Sequence, residues 1–206
     1  MTRLVLASAS PRRAELMRQI ELPFVAQPSS FAEPSPAGWA PEDFVVDLAL
    51  HKARSVQRLL SARGEAEDTL VIGADTVVCI DGDILGKPAG AADAAQMLRR
   101  LSGATHQVYT GLALVAAEGV ECSACEMTQV QMGHLSAADI AAYVASGEPL
   151  DKAGAYGIQG RAGRFIESIE GCYYNVVGLP LARLCALLNE MGYGVTTAIA
   201  ANEMQA

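Results

Sequence analysis

Basic residues are in the minority in this chain. Fifteen Lys and Arg stand against 23 Asp and Glu, a formal charge of −8. That balance argues against the phosphate grip a nucleic-acid binder spreads over its surface, and still allows a small basic pocket for one nucleotide. No apolar run is long enough to cross a bilayer, and the N-terminus enters an apolar β-type run without a signal-peptide pattern; we expect a soluble, cytoplasmic protein with no membrane partner. The five cysteines make no zinc pattern. Cys122 and Cys125 form a lone C-x-x-C without a second pair, Cys79 and Cys185 sit in apolar patterns, and Cys172 falls in a turn. His51, His106 and His134 are scattered, with no Cys or Ser at a catalytic spacing, and are read as structural or surface residues. The G-x-x-x-x-G-K-[ST] phosphate loop of kinases and motor ATPases is missing. Repeats, low-complexity tracts and linkers are missing too. With 51% hydrophobic residues, the 206-residue chain is expected to form one domain of two lobes, with a tail after about residue 193.

Two short stretches carry most of the chemical information. In the first, the apolar run Leu4-Val5-Leu6-Ala7 leads into Ser8-Ala9-Ser10-Pro11-Arg12-Arg13. Ser10 suits an N-cap and Pro11 the first helical position, so the segment reads strand, tight turn, helix. Arg12 and Arg13 then fall in the first helical turn, where unpaired N–H groups already carry positive potential. Either they are solvated arginines beside a capping serine, or they grip an anion together with the hydroxyls of Ser8 and Ser10.

In the second, residues 70–80 are almost continuously apolar but for Gly73-Ala74-Asp75-Thr76. An unpaired carboxylate in such a strand is costly, so Asp75 needs a cation, backbone donors, a metal or a general-base task. Asp81-Gly82-Asp83 reverses the chain into Ile84-Leu85-Gly86-Lys87-Pro88 and brings Lys87 back toward Asp75. A two-residue loop would leave the two on opposite faces and a three-residue loop would put them on one. We expect the second, because it gives the carboxylate company. Between the stretches, residues 41–63 have a helical pattern whose apolar stripe is interrupted by Lys52. That lysine either snorkels to the edge of the core or points into a cleft.

The rest alternates in an α/β manner. A helix is expected over 91–101, stopped at Gly103, then paired strands over 106–117 and 120–132. Ser136 to Asp139 start a helix that ends before Gly147; a Gly-rich segment follows, then a strand pair over 164–176 and a helix over 180–191.

Taken in order, Ser8-Ala9-Ser10-Pro11-Arg12-Arg13, Lys52-Ala53, Gly73-Ala74-Asp75-Thr76, Leu85-Gly86-Lys87-Pro88, Leu98-Arg99-Arg100-Leu101-Ser102-Gly103, the run from Asp151 to Gly160 and Asn175-Val176-Val177-Gly178-Leu179-Pro180 resemble the Maf family of nucleoside triphosphate pyrophosphatases over about residues 3–190. The resemblance implies an α/β fold similar to inosine triphosphate pyrophosphatases: a long mixed β-sheet flanked by helices, with two lobes and a central cleft. It implies cleavage between the α and β phosphates with a divalent cation, Mg²⁺ or Mn²⁺, and a homodimer.

Residue by residue, the resemblance makes Asp75 the catalytic base and Glu33 its partner in holding the metal. Lys52 and Lys87 become catalytic charge neutralisers; Ser8, Arg12 and Arg13 contact the triphosphate. Pro34 stands where the family often has a second acid. The unchanged string Asp-Lys-Ala-Gly-Ala-Tyr-Gly-Ile-Gln-Gly at 151–160, with Arg12, Thr76 and Gln159, matches the subgroup that prefers dTTP and UTP. Gln159 carries a donor and an acceptor, which suits the edge of uracil or thymine. Read from the residues alone, the same segment is a flexible Gly-rich loop. The expected role is house-cleaning of the pyrimidine nucleotide pool, with a link to arrest of cell division. The alternatives are a Maf-type pyrophosphatase of another nucleotide preference and a non-catalytic nucleotide-binding regulator.

Overall fold

The computed structural model describes residues 2–196 and 198–199. The expected tail therefore lies largely outside the described residues. Seven strands form one mixed sheet: β1 (Arg3–Leu6), β2 (Val25–Ala26), β3 (Thr69–Ile80), β4 (Asp83–Leu85), β5 (Thr105–Val115), β6 (Glu121–Met132) and β7 (Ile166–Glu170). Their order is β2-β1-β3-β5-β6-β7, with β4 paired to β3. The helices are α1 (Pro11–Gln19), α2 (Pro41–Ala62), α3 (Ala91–Leu101), α4 (Ala137–Ala145), α5 (Tyr173–Val177) and α6 (Leu181–Glu190). This is the expected long mixed sheet flanked by helices.

Strand β3 organises the molecule. Eleven of its residues are buried, so it reads as a continuous apolar run and its two faces separate only through the side-chain alternation. Val71 and Val77 pack on the α2 side with Ala49, Ala53, Val45 and Leu48. Leu70, Ile72 and Ala74 pack on the other side with Leu16, Met17, Leu184 and Leu188. Helix α2 lies unusually close to the sheet because two glycines admit it. A Cβ on Gly73 would stand 2.0 Å from the carbonyl oxygen of Ala49, and one on Gly111 would stand 2.1 Å from that of Val45. This close approach brings Lys52, on the next turn of α2, within reach of β3.

The pairing of β3 also leaves a gap. On one edge β1 runs parallel to it as far as Leu6 opposite Ile72, and β4 joins antiparallel only from Val78 opposite Leu85. Residues 73–77 therefore lack a strand neighbour on that edge while remaining paired to β5 on the other. The gap lies just past the carboxyl end of β1, where α/β sheets open a crevice for ligands.

Three sequence expectations need correction. The β3–β4 hairpin pairs Ile80 with Asp83, so its loop has two residues, not three. Asp81 and Gly82 take φ of 53° and 82°, the left-handed pair of a type I′ turn, which matches the twist of the flanking strands. The expected strand pair over 164–176 is a single strand, β7, followed by α5. In that short helix Asn175 and Val177 turn into the core, Asn175 fully buried, while Tyr173 stays exposed. Ser10 stands at the N-cap of α1, but its side chain makes no capping bond. Ser136 does cap α4, in a reciprocal capping box with Asp139.

Candidate active site

The gap in the sheet opens into a cavity of about 610 Å³. Ser8, Arg12, Arg13, Glu33, Lys52, Asp75, Thr76, Lys87 and Gln159, drawn from six separate segments, all line it. At its centre is a three-group cluster. Asp75, an odd residue of β3, faces α2, and Lys52 Nζ donates to its Oδ1 at 2.5 Å. The same ammonium lies 2.6 Å from Glu33 Oε1. Lys52 therefore points into the cleft, and the strap between β2 and α2 carries Glu33 back to it. Ring stacking between Phe31 and His51, with centroids 4.7 Å apart, pins the strap to α2.

The two carboxylates sit in different surroundings. The Asp75 side chain is 10% exposed and that of Glu33 49%. Burial pushes the Asp75 carboxyl above the usual aspartate range, and the charges of Lys52 and Arg13 oppose this without cancelling it. At Glu33 burial also disfavours ionisation, but the hydrogen bond and charge of Lys52, helped by Lys87 and Arg13, outweigh it and hold the carboxyl low. The shared ammonium thus favours the anion at Glu33, while burial shifts Asp75 in the direction that suits a proton acceptor.

The paired arginines separate in role. Arg13 is not a solvated arginine. Its Nε donates to the carbonyl of Gly178 at 2.8 Å, Nη1 to the carbonyl of Ala74 at 3.0 Å and to Ser8 Oγ at 3.2 Å, and Nη2 to Thr76 Oγ1 at 3.0 Å. The Ala74 carbonyl belongs to the unpaired edge of β3, so Arg13 supplies a donor that no neighbouring strand provides. Burial pulls the pKa of its guanidinium down. Arg12 instead faces Asp151 across the cavity at 3.7 Å. Ser8 Oγ accepts from the backbone N–H of Ser10 and from Arg13, which leaves its own proton free for a bound oxygen.

Thr76, on the opposite face from Asp75, is held from below. Its Oγ1 lies 2.9 Å from Thr110 Oγ1. The single proton of Thr110 goes to the carbonyl of Asn175 at 3.2 Å, so Thr76 is the donor between them. Asn175 is anchored in turn through Nδ2 to the Val108 carbonyl and to Thr128 Oγ1, each at 2.9 Å. This polar chain was invisible in the sequence, where Thr110 and Thr128 look like ordinary strand threonines.

Lys87 reaches the cavity by a route other than the one expected. The two-residue loop would set it opposite Thr76, on the wrong face for Asp75, but the ladder ends at Leu85 and residues 86–87 leave the sheet. Lys87 is exposed and makes no protein hydrogen bond or ion pair among the described residues. Gln159 sits exposed at the tip of the Gly-rich segment and has no protein partner among the described residues. The segment is a series of tight 3-10 turns rather than an open loop, with a bond from the Gly160 N–H to the Gly157 carbonyl. Lys152, which the sequence offered only as part of a longer string, also lines the cavity and is held by the carbonyl of Glu148 and by Asp151 Oδ1, both at 2.6 Å.

No group of three or more His, Cys, Asp or Glu placed to hold a metal ion occurs among the described residues. The convergent pair Glu33 and Asp75 nevertheless fits a hard divalent cation. Both oxygens already meet at one cationic point, the Lys52 ammonium, and an Mg²⁺-like ion needs few protein oxygens when substrate and water supply the rest. His106 takes no part. It is fully buried against the Tyr156 hydroxyl at 2.7 Å, and burial lowers its pKa to about 4. All five cysteines are free thiols.

Fold and cavity together define an α/β protein with a lysine-bridged pair of carboxylates at the carboxyl end of its first strand. The family described as Maf-like protein matches residues 3–191. The chain is 51% identical over 197 residues to a protein of Symbiobacterium thermophilum named dTTP/UTP pyrophosphatase, covering 96% of this chain and 98% of that one. It is 49% identical over 196 residues to one of the same name from Pelotomaculum thermopropionicum, covering 95% and 100%. Among solved structures it aligns with the nucleoside-triphosphatase / dITP/XTP pyrophosphatase of Mycobacterium abscessus at a TM-score of 0.41 and 21% identity, over 66% of this chain and 76% of that one. The chain belongs to the Maf family.

Proposed function

We propose that the protein hydrolyses dTTP and UTP to the monophosphate and pyrophosphate in the cavity around Asp75. The names of its near relatives support the reaction and the substrates. The observation that carries the site is the Lys52 bridge between a buried, pKa-raised Asp75 and an ionised Glu33, with Ser8, Arg12 and Lys87 on the same walls.

In the proposed reaction a water oxygen bonds to the α phosphorus while the bond from that phosphorus to the α–β bridging oxygen breaks. The water proton passes to Asp75, and the electron pair of the broken bond leaves with pyrophosphate. Phosphoryl transfer asks a protein mainly for positioning and charge neutralisation. Lys52, Lys87 and Arg12 supply the charge, and the free Ser8 proton donates to a phosphate oxygen. Arg13 acts at one remove, fixing Ser8 and Thr76. Glu33 and Asp75 would hold Mg²⁺ or Mn²⁺, which when bound neutralises phosphate oxygens. Gln159, with its amide unpartnered, would pair with the uracil or thymine edge. The same reading keeps the expected cytoplasmic location and, on the family resemblance, takes the enzyme as a homodimer.

The test is Asp75→Asn. This variant should still bind dTTP and release no pyrophosphate; full turnover would remove Asp75 from the reaction.

A further inference from the structure

The proposed base contact poses a problem that Gln159 cannot solve alone. A carboxamide flips its donor and acceptor by rotating about one bond, so a free glutamine suits cytosine as well as uracil. Discrimination needs a turn that fixes where the amide stands, together with groups that cannot flip. Among the described residues the backbone N–H groups of Ile158 and Gln159 have no protein acceptor. They are such groups, provided the turn over 157–160 is itself held still.

The turn is held from both ends by one hydrogen-bonded pair, a buried Tyr143 and a half-buried Glu148. Tyr143 of α4 is 2% exposed, and its hydroxyl donates to Glu148 Oε1 at 3.0 Å. The same hydroxyl accepts from the N–H of Gly157 at 3.3 Å. The Glu148 carboxylate then accepts from the N–H of Arg161, at 3.0 Å to Oε1 and 3.2 Å to Oε2. The residues bonded, 157 and 161, bracket Ile158 and Gln159. Contact at the second end is so close that a Cβ on Gly160 would stand 2.0 Å from Glu148 Oε1. Burial and the neighbouring Glu148 carboxylate both push the Tyr143 phenol pKa up, so the proton stays on oxygen as the donor role requires. Neither Tyr143 nor Glu148 lines the cavity.

We infer that Tyr143 and Glu148 are positioning residues for nucleobase choice: they clamp the 157–160 turn, and through it set the orientation of Gln159 and the adjacent backbone donors toward a uracil or thymine ring. The inference rests on the proposed role of Gln159 as the base contact.

The experiment compares kcat/KM for UTP, CTP and an abasic ribose 5-triphosphate in the full chain. The forms are the parent, Tyr143→Phe, Glu148→Gln, Gln159→Ala and the double variant Tyr143→Phe/Gln159→Ala. Tyr143→Phe keeps the ring and its edge contact with Phe165 (centroids 6.2 Å apart), and Glu148→Gln keeps size, so both should fold, with melting curves as the check. Both should lower the UTP-over-CTP preference on the order of tenfold, mainly through KM for UTP, and leave the abasic triphosphate unchanged. The double variant should discriminate no worse than Gln159→Ala, since the residues act in series. If Gln159→Ala alters discrimination while neither clamp variant does, the clamp is overturned and the base contact stands. An equal loss on all three substrates reduces the pair to structural support and overturns the inference as well. If Gln159→Ala leaves discrimination intact, the base contact itself fails and the clamp falls with it.

Discussion

Replacing Lys52 by methionine removes the cation at the centre of the cavity and leaves its volume nearly unchanged. In the parent, one ammonium lies 2.5 Å from Asp75 and 2.6 Å from Glu33. At the effective dielectric that suits such pairs, each contact represents about 6 kcal/mol of gross attraction, most of it offset by the cost of burying the charges. Without the ammonium the carboxylates repel each other and Asp75 loses the partner that opposes its burial. Its pKa therefore rises further. Two effects on pyrophosphate release from dTTP follow. At neutral pH, kcat/KM should fall by about 100-fold or more, the loss of about 3 kcal/mol that removing one charge-stabilising donor brings. The acid limb of the pH–rate profile should also move to higher pH, because the base must be ionised to accept a proton. Lys52→Arg should restore the position of the limb better than the rate, since a guanidinium supplies the charge with a different reach. A methionine variant with near-parental kcat/KM and an unmoved acid limb would refute the reasoning, and Lys52 would then be only a tie between the strap and the sheet.

Further outcomes follow from the same geometry. Asp75→Asn should abolish turnover and yet melt no lower than the parent at neutral pH. A carboxyl whose folded pKa is raised destabilises the native state once pH rises through that pKa, so the asparagine advantage should vanish below the ordinary aspartate range. Gly111→Ala should cost about 3 kcal/mol or more and lower Tm by roughly 10 °C in calorimetry, because the new Cβ meets the backbone of Val45 and not a movable side-chain end. Arg13→Lys should lower kcat/KM and Tm together, since a point-like ammonium cannot serve the Gly178, Ala74, Ser8 and Thr76 acceptors at once.

The main elements were legible because their signals are local. Helix α3 was expected over 91–101 and spans Ala91–Leu101. The Ser136 capping signal places α4 correctly, and the apolar run broken by one acid marks β3 as the strand that carries the site. What pattern could not supply was long-range pairing. The hairpin loop was misjudged because a salt bridge was expected to set the register, whereas the Asp81-Gly82 turn set it and Lys87 reached the cleft by leaving the sheet. The expected strand pair over 164–176 keeps only its first strand, because Asn175 is drawn into the core by Val108 and Thr128 and a short helix over 173–177 turns it there. Lys52 shows the same limit from the other side. Its place on an apolar stripe marked it as unusual, yet the two carboxylates that explain it lie 19 and 23 residues away in sequence and meet it only through the strap and the sheet.

The central claim, that this cavity cleaves pyrimidine nucleoside triphosphates at the α–β bond, is tested most directly by identifying the products. The protein would be incubated with dTTP, UTP, CTP, ATP and GTP, with Mg²⁺, with Mn²⁺ and with EDTA, and both phosphorus-containing products quantified. The account predicts monophosphate and pyrophosphate in equal amounts, fastest from dTTP and UTP, and none with EDTA. Release of orthophosphate, cleavage unaffected by EDTA, or tight binding of nucleotide without turnover would contradict it, the last leaving a nucleotide-binding protein in place of an enzyme.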